Sequence, residues 1–577
     1  MKKIIFYTLA LGMFFIISSC QKVLNVKNLN AFNPSDTWND ATLASAYLTD
    51  LYASASPGWS VNSAGDNGVD QNGTSADESI GILAPDFVQS TNGAFKYWPY
   101  GTIRKINVLL NEINGGTLSA DVRKPIKGQA FFLRAFQYFN AVRYHGGVPI
   151  IKKPQLLTDD LMVSRNSTKE CFDFIIQDLD SAYIYLPDHY TGNDYGRIDK
   201  AVVLAFKGRV MLYKASPQFN PSNPFGNTYW QEAYTATKAA KDQLESWGYG
   251  LVSKYDDIFL TEKHKEAVWA VVYTNPGKTN FRERGTRPLV ESVDATGYDQ
   301  PIWELVQSYP MVDGMQPGNS SKYSYNVQNY WLNRDPRLSS TIIYNASPCP
   351  LAGIANRRVY TDVTISYKDD RMAPTNIAFC RTGFFCRKGL DLTLTKAQVG
   401  LNAIDWLEIR YAEVLMNYAE ASNETGHSDE ALLVLKQIRS RAGIEPGNYG
   451  MYGITATTKD QIRDAIHFEN RIEFAFEGSK RFWELRRMRM FSAINGMHKN
   501  GLQSTLKAGL DPFASVTYLP QDFDYVFHEP FALGSQKTMV VPDSYYFFPI
   551  SKDEIQKNSK LKQNVGWEDG TFDPTLK

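Results

Sequence analysis

Between Gly128 and Ile150 the chain reads GQAFFLRAFQYFNAVRYHGGVPI. Phe131, Leu133, Arg134, Phe136, Tyr138, Phe139 and Val142 put bulky groups around most of a helical circumference, while Ala130, Ala135 and Ala141 let neighbouring backbones come close. This pattern predicts a helix buried among other helices. Gly146 and Gly147 supply the permissive backbone that ends it, and Pro149 prevents its resumption.

Further helical segments follow in pairs. Ser167 to Leu186 alternates Phe172, Ile175, Ile176, Leu179 and Tyr183 with Asp and Gln, and Pro187 closes it. Lys200 to Ala215 carries small residues at Ala201, Ala205 and Gly208, and Tyr229 to Ser246 answers as its partner. Leu407 to Thr425 is read as a helix with Tyr411, Val414, Leu415 and Tyr418 on one face; Gly426 then turns into Ser428, read as the N-cap of a helix holding Ala431, Leu432, Leu435 and Ile438. Helix, short turn, helix is the pattern of tetratricopeptide units, here with irregular spacing. The expected class is mainly all-α: a scaffold of helical pairs at about 98–250 and 405–490, with loop-rich insertions at about 50–97 and 274–400.

The chain opens MKKIIFYTLALGMFFIISSC. Two lysines precede an apolar run from Ile4 to Ile17, too short to span a bilayer and read as a signal peptide over residues 1–19. Ile17-Ser18-Ser19-Cys20 is similar to a bacterial lipobox, which makes Cys20 the expected lipidation site and residues 20–577 the mature protein. Lys plus Arg equals Asp plus Glu at 61 each, so no net charge draws a polyanion and nucleic acid is not an expected partner. Cys171, Cys349, Cys380 and Cys386 form no C-x-x-C pair, and the histidines show no i, i+4 spacing, so neither a metal nor a cofactor is expected. Cys380 and Cys386 flank a short turn: a bridge and buried thiols are both open readings.

Five segments, in order along the mature chain, resemble the SusD/RagB nutrient-binding outer-membrane lipoproteins of Bacteroidetes. They are GQAFFLRAFQYFNAVRYHGGVPI; ELVQSYPMVDG (Glu304 to Gly314) with NRDPRL (Asn333 to Leu338); IRYAEVLMNYAEA (Ile409 to Ala421); ENRIEFAFEGSKRFWELRRM (Glu469 to Met488); and YFFPISKDEIQKNSKLKQNVGW (Tyr546 to Trp567). The resemblance implies four tetratricopeptide-like pairs with an irregular ligand face. It also implies a lipid-anchored, surface-exposed place at the cell outer membrane and a SusC-like TonB-dependent transporter as partner. One departure is that Gln21-Lys22-Val23-Leu24-Asn25 lacks the acidic residues that often follow the lipidated cysteine in exported lipoproteins of this phylum.

Glycoside hydrolysis needs two carboxylates. Glu469 and Glu473 lie one helical turn apart, but Arg471, Lys480, Arg481, Arg486 and Arg487 are near in sequence, and a structural ion network is the expected role. Neither a G-x-S-x-G elbow nor a phosphate-binding loop occurs, so no enzyme activity is expected. Loop aromatics remain. A pyranose offers an apolar C–H face to an indole or phenol, and its hydroxyls seek polar groups at the rim. Trp59 with Asp66 and Asn67, Trp98, Tyr298 and Trp303 are the candidate ligand-binding residues, whereas Trp230, Trp247, Trp269, Trp331, Trp406 and Trp483 read as packing. The function expected is capture of an oligosaccharide and its delivery to the transporter. A peptide-binding member of the same family, a glycosidase and a pure scaffold are the alternatives.

Overall fold

The computed structural model describes residues 34–59, 97–280, 282–288, 300–362, 380, 382–528 and 538–576. Helix dominates, at 46%. The helices that build the scaffold are α1 (Ala41–Ala55), α2 (Tyr100–Glu112), α3 (Ala120–His145), α4 (Thr168–Tyr185), α5 (Lys200–Ala215) and α6 (Tyr229–Ser246), followed by α7 (Tyr411–Glu424), α8 (Ser428–Ala442), α9 (Lys459–Glu473) and α10 (Lys480–Arg487). α3 pairs with α4, α5 with α6 and α7 with α8; α6 also packs on α7, and α9 lies across α7 and α8. No helix among the described residues is long and apolar enough to cross a membrane.

Capping chemistry sets several helix starts. Ser167 and Glu170 form a capping box on α4, with the Glu170 carboxylate accepting from the Ser167 N–H at 2.8 Å. Asp199 caps α5 by accepting from the Val202 N–H at 3.0 Å, and Asp40 caps α1. The quoted helix, α3, ends at Gly146 with φ of 75°, where a Cβ would lie 2.4 Å from that of Pro574. Gly147 does not have a positive φ; a Cβ there would stand 2.1 Å from the Asn166 carbonyl oxygen. Arg165 closes this corner, donating to the carbonyls of His145 and Gly147 and to Asn564 while its guanidinium lies 3.5 Å from the Phe572 ring centroid. The loop beyond the quoted helix thus clamps the C-terminal tail onto the scaffold.

Three local expectations are corrected. The segment from Trp406 to Arg410 is a strand, not the first turn of α7, because it pairs antiparallel with Ala267–Val271. Ser428 lies inside α8, whose N-cap is His427; the Ser428 hydroxyl donates to Asn423 at 2.8 Å instead. The first insertion does not begin at 50, since α1 runs to Ala55; residues 60–96 fall outside the described set.

Four short antiparallel pairs occur among the described residues: β1 (Ala267–Val271) with β4 (Trp406–Arg410), β2 (Ile342–Tyr344) with β3 (Phe384–Cys386), β5 (Gly501–Leu506) with β6 (Phe523–His528), and a two-residue pair at Ser347–Pro348 and Arg358–Val359. Cys380 and Cys386 are buried thiols and not a disulfide. NRDPRL and ENRIEFAFEG meet in the interior. Arg337, fully buried, contacts Asp335, Glu469 and Glu473 at 2.7 to 2.8 Å. Glu469 is also held by Arg439, and Glu473 by Arg410 and Arg441. The two carboxylates therefore do sit in an ion network, but its cations come from distant segments. The nearby Lys480, Arg481 and Arg487 serve Glu413, Glu484 and Glu420.

Candidate functional site

A cleft of about 1140 Å³, counting its open mouth, lies where α3, α5, α7 and α10 converge. Phe136, Asn140, Arg143 and Tyr144 from α3 line it, with Arg209 and Tyr213 from α5, Glu413, Met416 and Asn417 from α7, and Lys480, Trp483 and Glu484 from α10. Ala55 to Gly58 and Tyr97 form part of its wall. Residues 136, 140, 143 and 144 share one side of α3 because i, i+4 and i+7 positions of a helix recur on one face.

Ion pairs order the cleft wall. Arg209 donates to Glu408 and Glu413, at 2.6 Å each, and Lys480 also pairs with Glu413. Burial alone would raise the Glu413 carboxyl, but Arg209 and Lys480 outweigh it and hold the group at about 2. Glu484 behaves alike: burial opposes ionisation, while His467 at 2.9 Å, Arg481 at 2.7 Å and Asn470 at 2.8 Å keep it at about 2. Arg487 binds Glu420 through two nitrogens at 2.5 and 2.8 Å. Carboxylates fixed this firmly as anions are poor proton donors.

Arg143 differs from these cations. Its guanidinium lies 4.2 Å from the Trp483 ring centroid and 5.5 Å from that of Phe139, and no carboxylate among the described residues pairs with it. The Nε of Arg143, the indole Nε1 of Trp483 and the Oδ1 atoms of Asn140 and Asn470 are buried without a hydrogen-bond partner.

The sequence candidates are dispersed. Trp59 is 9% exposed; its indole donates to the Ile404 carbonyl at 2.7 Å, and its ring meets Trp406 at 4.9 Å and Phe259 at 5.3 Å. Gly389 closes on the same ring, 2.5 Å from where a Cβ would stand. Trp303 is 3% exposed and packs on Tyr330, Phe384 and Phe527. These contacts correct the expectation for both residues: their faces are spent on the core, and they belong to two different hydrophobic clusters. Trp98 is half-buried against Tyr100 and His145. Asp66, Asn67 and Tyr298, like Cys20, lie outside the described residues. Of the tryptophans read as packing, Trp230, Trp269, Trp406 and Trp483 are buried, and Trp247 and Trp331 are partly so. The polar cleft residues were missed because they stand singly on otherwise apolar helices, and Phe136 and Trp483 were read only as packing. The available signal was Arg143, a cation in the middle of FNAVRYHGG.

Comparison with known proteins points one way. A family model described as the SusD family matches residues 265–567, and one described as "Starch-binding associating with outer membrane" matches residues 26–212. SusD-like protein P38 of Formosa agariphila is 25% identical over 511 residues, which cover 84% of this chain and 91% of that protein. A crystal structure of a SusD-like carbohydrate binding protein from Bacteroides fragilis superposes with a TM-score of 0.72 at 23% identity, covering 91% of this chain and all of that one. A laminarin binding SusD-like protein gives a TM-score of 0.61 at 19% identity, over 92% of this chain and 100% of its own.

Proposed function

Because this chain belongs to the SusD family, we propose that it is a binding lipoprotein of the cell outer membrane that captures an oligosaccharide and passes it to a SusC-like TonB-dependent transporter. Residues 1–19 are its signal peptide, Cys20 carries the lipid, and 20–577 form one SusD-like unit. The observation that carries the reading is the cleft, whose wall sets the half-buried Tyr97 ring beside the side-chain amides of Asn140, Asn417 and Asn470 and so offers a sugar both apolar surface and hydrogen-bonding groups. The names of the carbohydrate-binding and laminarin-binding relatives favour the same ligand class. Trp98, the candidate whose ring keeps some exposure, follows Tyr97 of the cleft wall and is the proposed stacking residue.

Capture without cleavage fits the carboxylates. Glu469 and Glu473 are each engaged by at least two guanidinium groups, and Arg441, Arg410 and Arg337 hold Glu473 well below the ordinary range against the effect of burial. The test is to titrate the purified mature protein with neutral and acidic oligosaccharides by calorimetry and assay the same mixtures for new reducing ends. Saturable binding with no new ends is expected. Steady release of ends would replace the reading with a glycosidase, and binding of peptides alone would replace it with the peptide-loading alternative.

A further inference from the structure

Among the described residues, each buried arginine has at least one acceptor. Arg134 pairs with Asp178 at 2.7 Å, Arg209 with Glu408 and Glu413, Arg410 with Glu266, Glu473 and Glu477, and Arg487 with Glu420. Arg334, with no carboxylate pair among the described residues, donates instead to the carbonyls of Tyr309 and Tyr330, both at 2.5 Å. Arg143 has neither kind of partner among the described residues, although it lines the cleft. Arg143 is half-buried, and its Nε is shut off from water without an acceptor; burying that donor is costly, and a cation on an indole recovers only part of the cost. A second observation points the same way. Asn140, 4% exposed, and Trp483, 2% exposed, line the same cleft and each has a polar atom without a partner, an acceptor in one and a donor in the other.

We propose that the cleft takes its glycan through an acidic substituent, a carboxylate or a sulfate ester, received by the Arg143 guanidinium that lies on the Trp483 ring. The planar fork of an arginine matches two oxygens of either group. The acceptor of Asn140 then takes a sugar hydroxyl, and the Trp483 indole N–H finds an oxygen after a small side-chain adjustment. The Glu408, Glu413 and Glu484 carboxylates do not pair with Arg143: Glu408 and Glu413 share Arg209, Lys480 also holds Glu413, and Arg481 holds Glu484. Arg486 also pairs with no carboxylate among the described residues, but it donates to the Phe482 carbonyl at 3.2 Å, is stacked 3.3 Å from the Phe482 ring centroid and does not line the cleft. The inference rests on the capture reading above and specifies the ligand within it.

The test compares three probes of equal length on the full mature protein: an oligogalacturonate, a sulfated galactan fragment and a malto-oligosaccharide. The better acidic probe is expected to bind about tenfold to a hundredfold more tightly than the neutral one at low salt, the scale of a charge-assisted hydrogen bond. That preference should collapse in Arg143→Gln and persist in part in Arg143→Lys. Which acidic probe wins tells a carboxylate from a sulfate. Equal affinity for all three probes, or a preference that survives in a folded Arg143→Gln, overturns the anionic inference and leaves capture standing. Failure to bind any glycan overturns the capture reading itself. If Arg143→Gln does not fold, competition on the wild type decides: glucuronate displacing the bound acidic probe where glucose does not supports the proposal, and equal displacement by both defeats it.

Discussion

At position 59 an indole donates to the Ile404 carbonyl and stands edge-on to Trp406, and at position 303 another is enclosed by Tyr330, Phe384 and Phe527. Truncating either ring opens a cavity that its neighbours fill only in part. Trp59→Ala and Trp303→Ala are therefore expected to lose roughly 3 to 5 kcal/mol of stability. Trp98→Ala should behave differently, because that ring is only half-buried. It is expected to weaken glycan binding by about 1 to 3 kcal/mol, the scale known for bases stacked on aromatic rings, with little change in melting temperature. Thermal melts and titrations on the three variants check the contrast, and a Trp98→Ala protein with native affinity would remove this residue from the site. Local sequence showed an aromatic in or beside an irregular stretch in each case. Whether a ring face is free depends on partners hundreds of positions away, such as Ile404 for Trp59, and no local pattern carries that.

The helices were the legible elements. Lys200–Ala215 and Tyr229–Ser246 have the expected bounds, and α4 is framed by Ser167 and Leu186 as its composition requires. The strands were less legible: Trp406–Arg410 has a fully apolar neighbour in β1 but is too short to display a period, and it runs straight into a helix. The junction after α3 yields a prediction at this scale. Gly147→Val is expected to be destabilising, and the reason is now close packing, because the added Cβ would meet the Asn166 carbonyl and the Phe572 ring. Gly147→Ala should share most of the loss, since the Cβ itself makes the clash; a melting temperature unchanged in both variants would show that the corner yields at no cost. Gly146→Ala should cost at least as much, as its φ of 75° is strained for any L side chain and its added Cβ would also meet Pro574.

At the scale of the whole molecule the helical scaffold and the loop-rich insertion are joined by buried charge. Arg337 from the insertion reaches Glu469 and Glu473 on α9; Arg410 at the end of β4 reaches Glu473, Glu477 and Glu266; Lys388 reaches Glu477. Acid should attack this arrangement and the cleft wall together. Glu413 and Glu484 sit at about 2 against an ordinary 4.5, so the folded state binds fewer protons than the unfolded one between those values. Their stabilisation, on the order of 3 kcal/mol each, is fully present above about pH 4.5 and is lost as pH falls toward 2. Chemical denaturation across that range checks the sign: stability rising on acidification would contradict it. The sharper test removes one cation. Arg337→Met keeps much of the side-chain volume but leaves Asp335, Glu469 and Glu473 short of a shared partner in a site that water does not reach. Breaking a buried pair in this way costs about 3 to 5 kcal/mol, because the surviving carboxylates bear an uncompensated charge. Arg439, Arg410 and Arg441 still hold the two glutamates, so the helices should keep their fold while the insertion loses its Arg337 tie to α9. The expected outcome is a melt that splits, with limited proteolysis in residues 300–362 at temperatures where α3 to α6 remain intact. Adding Glu473→Gln should recover part of the loss, as it removes one of the stranded charges. A single transition shifted by under about 1 kcal/mol in Arg337→Met would mean that apolar packing between the two halves, and not this network, joins them.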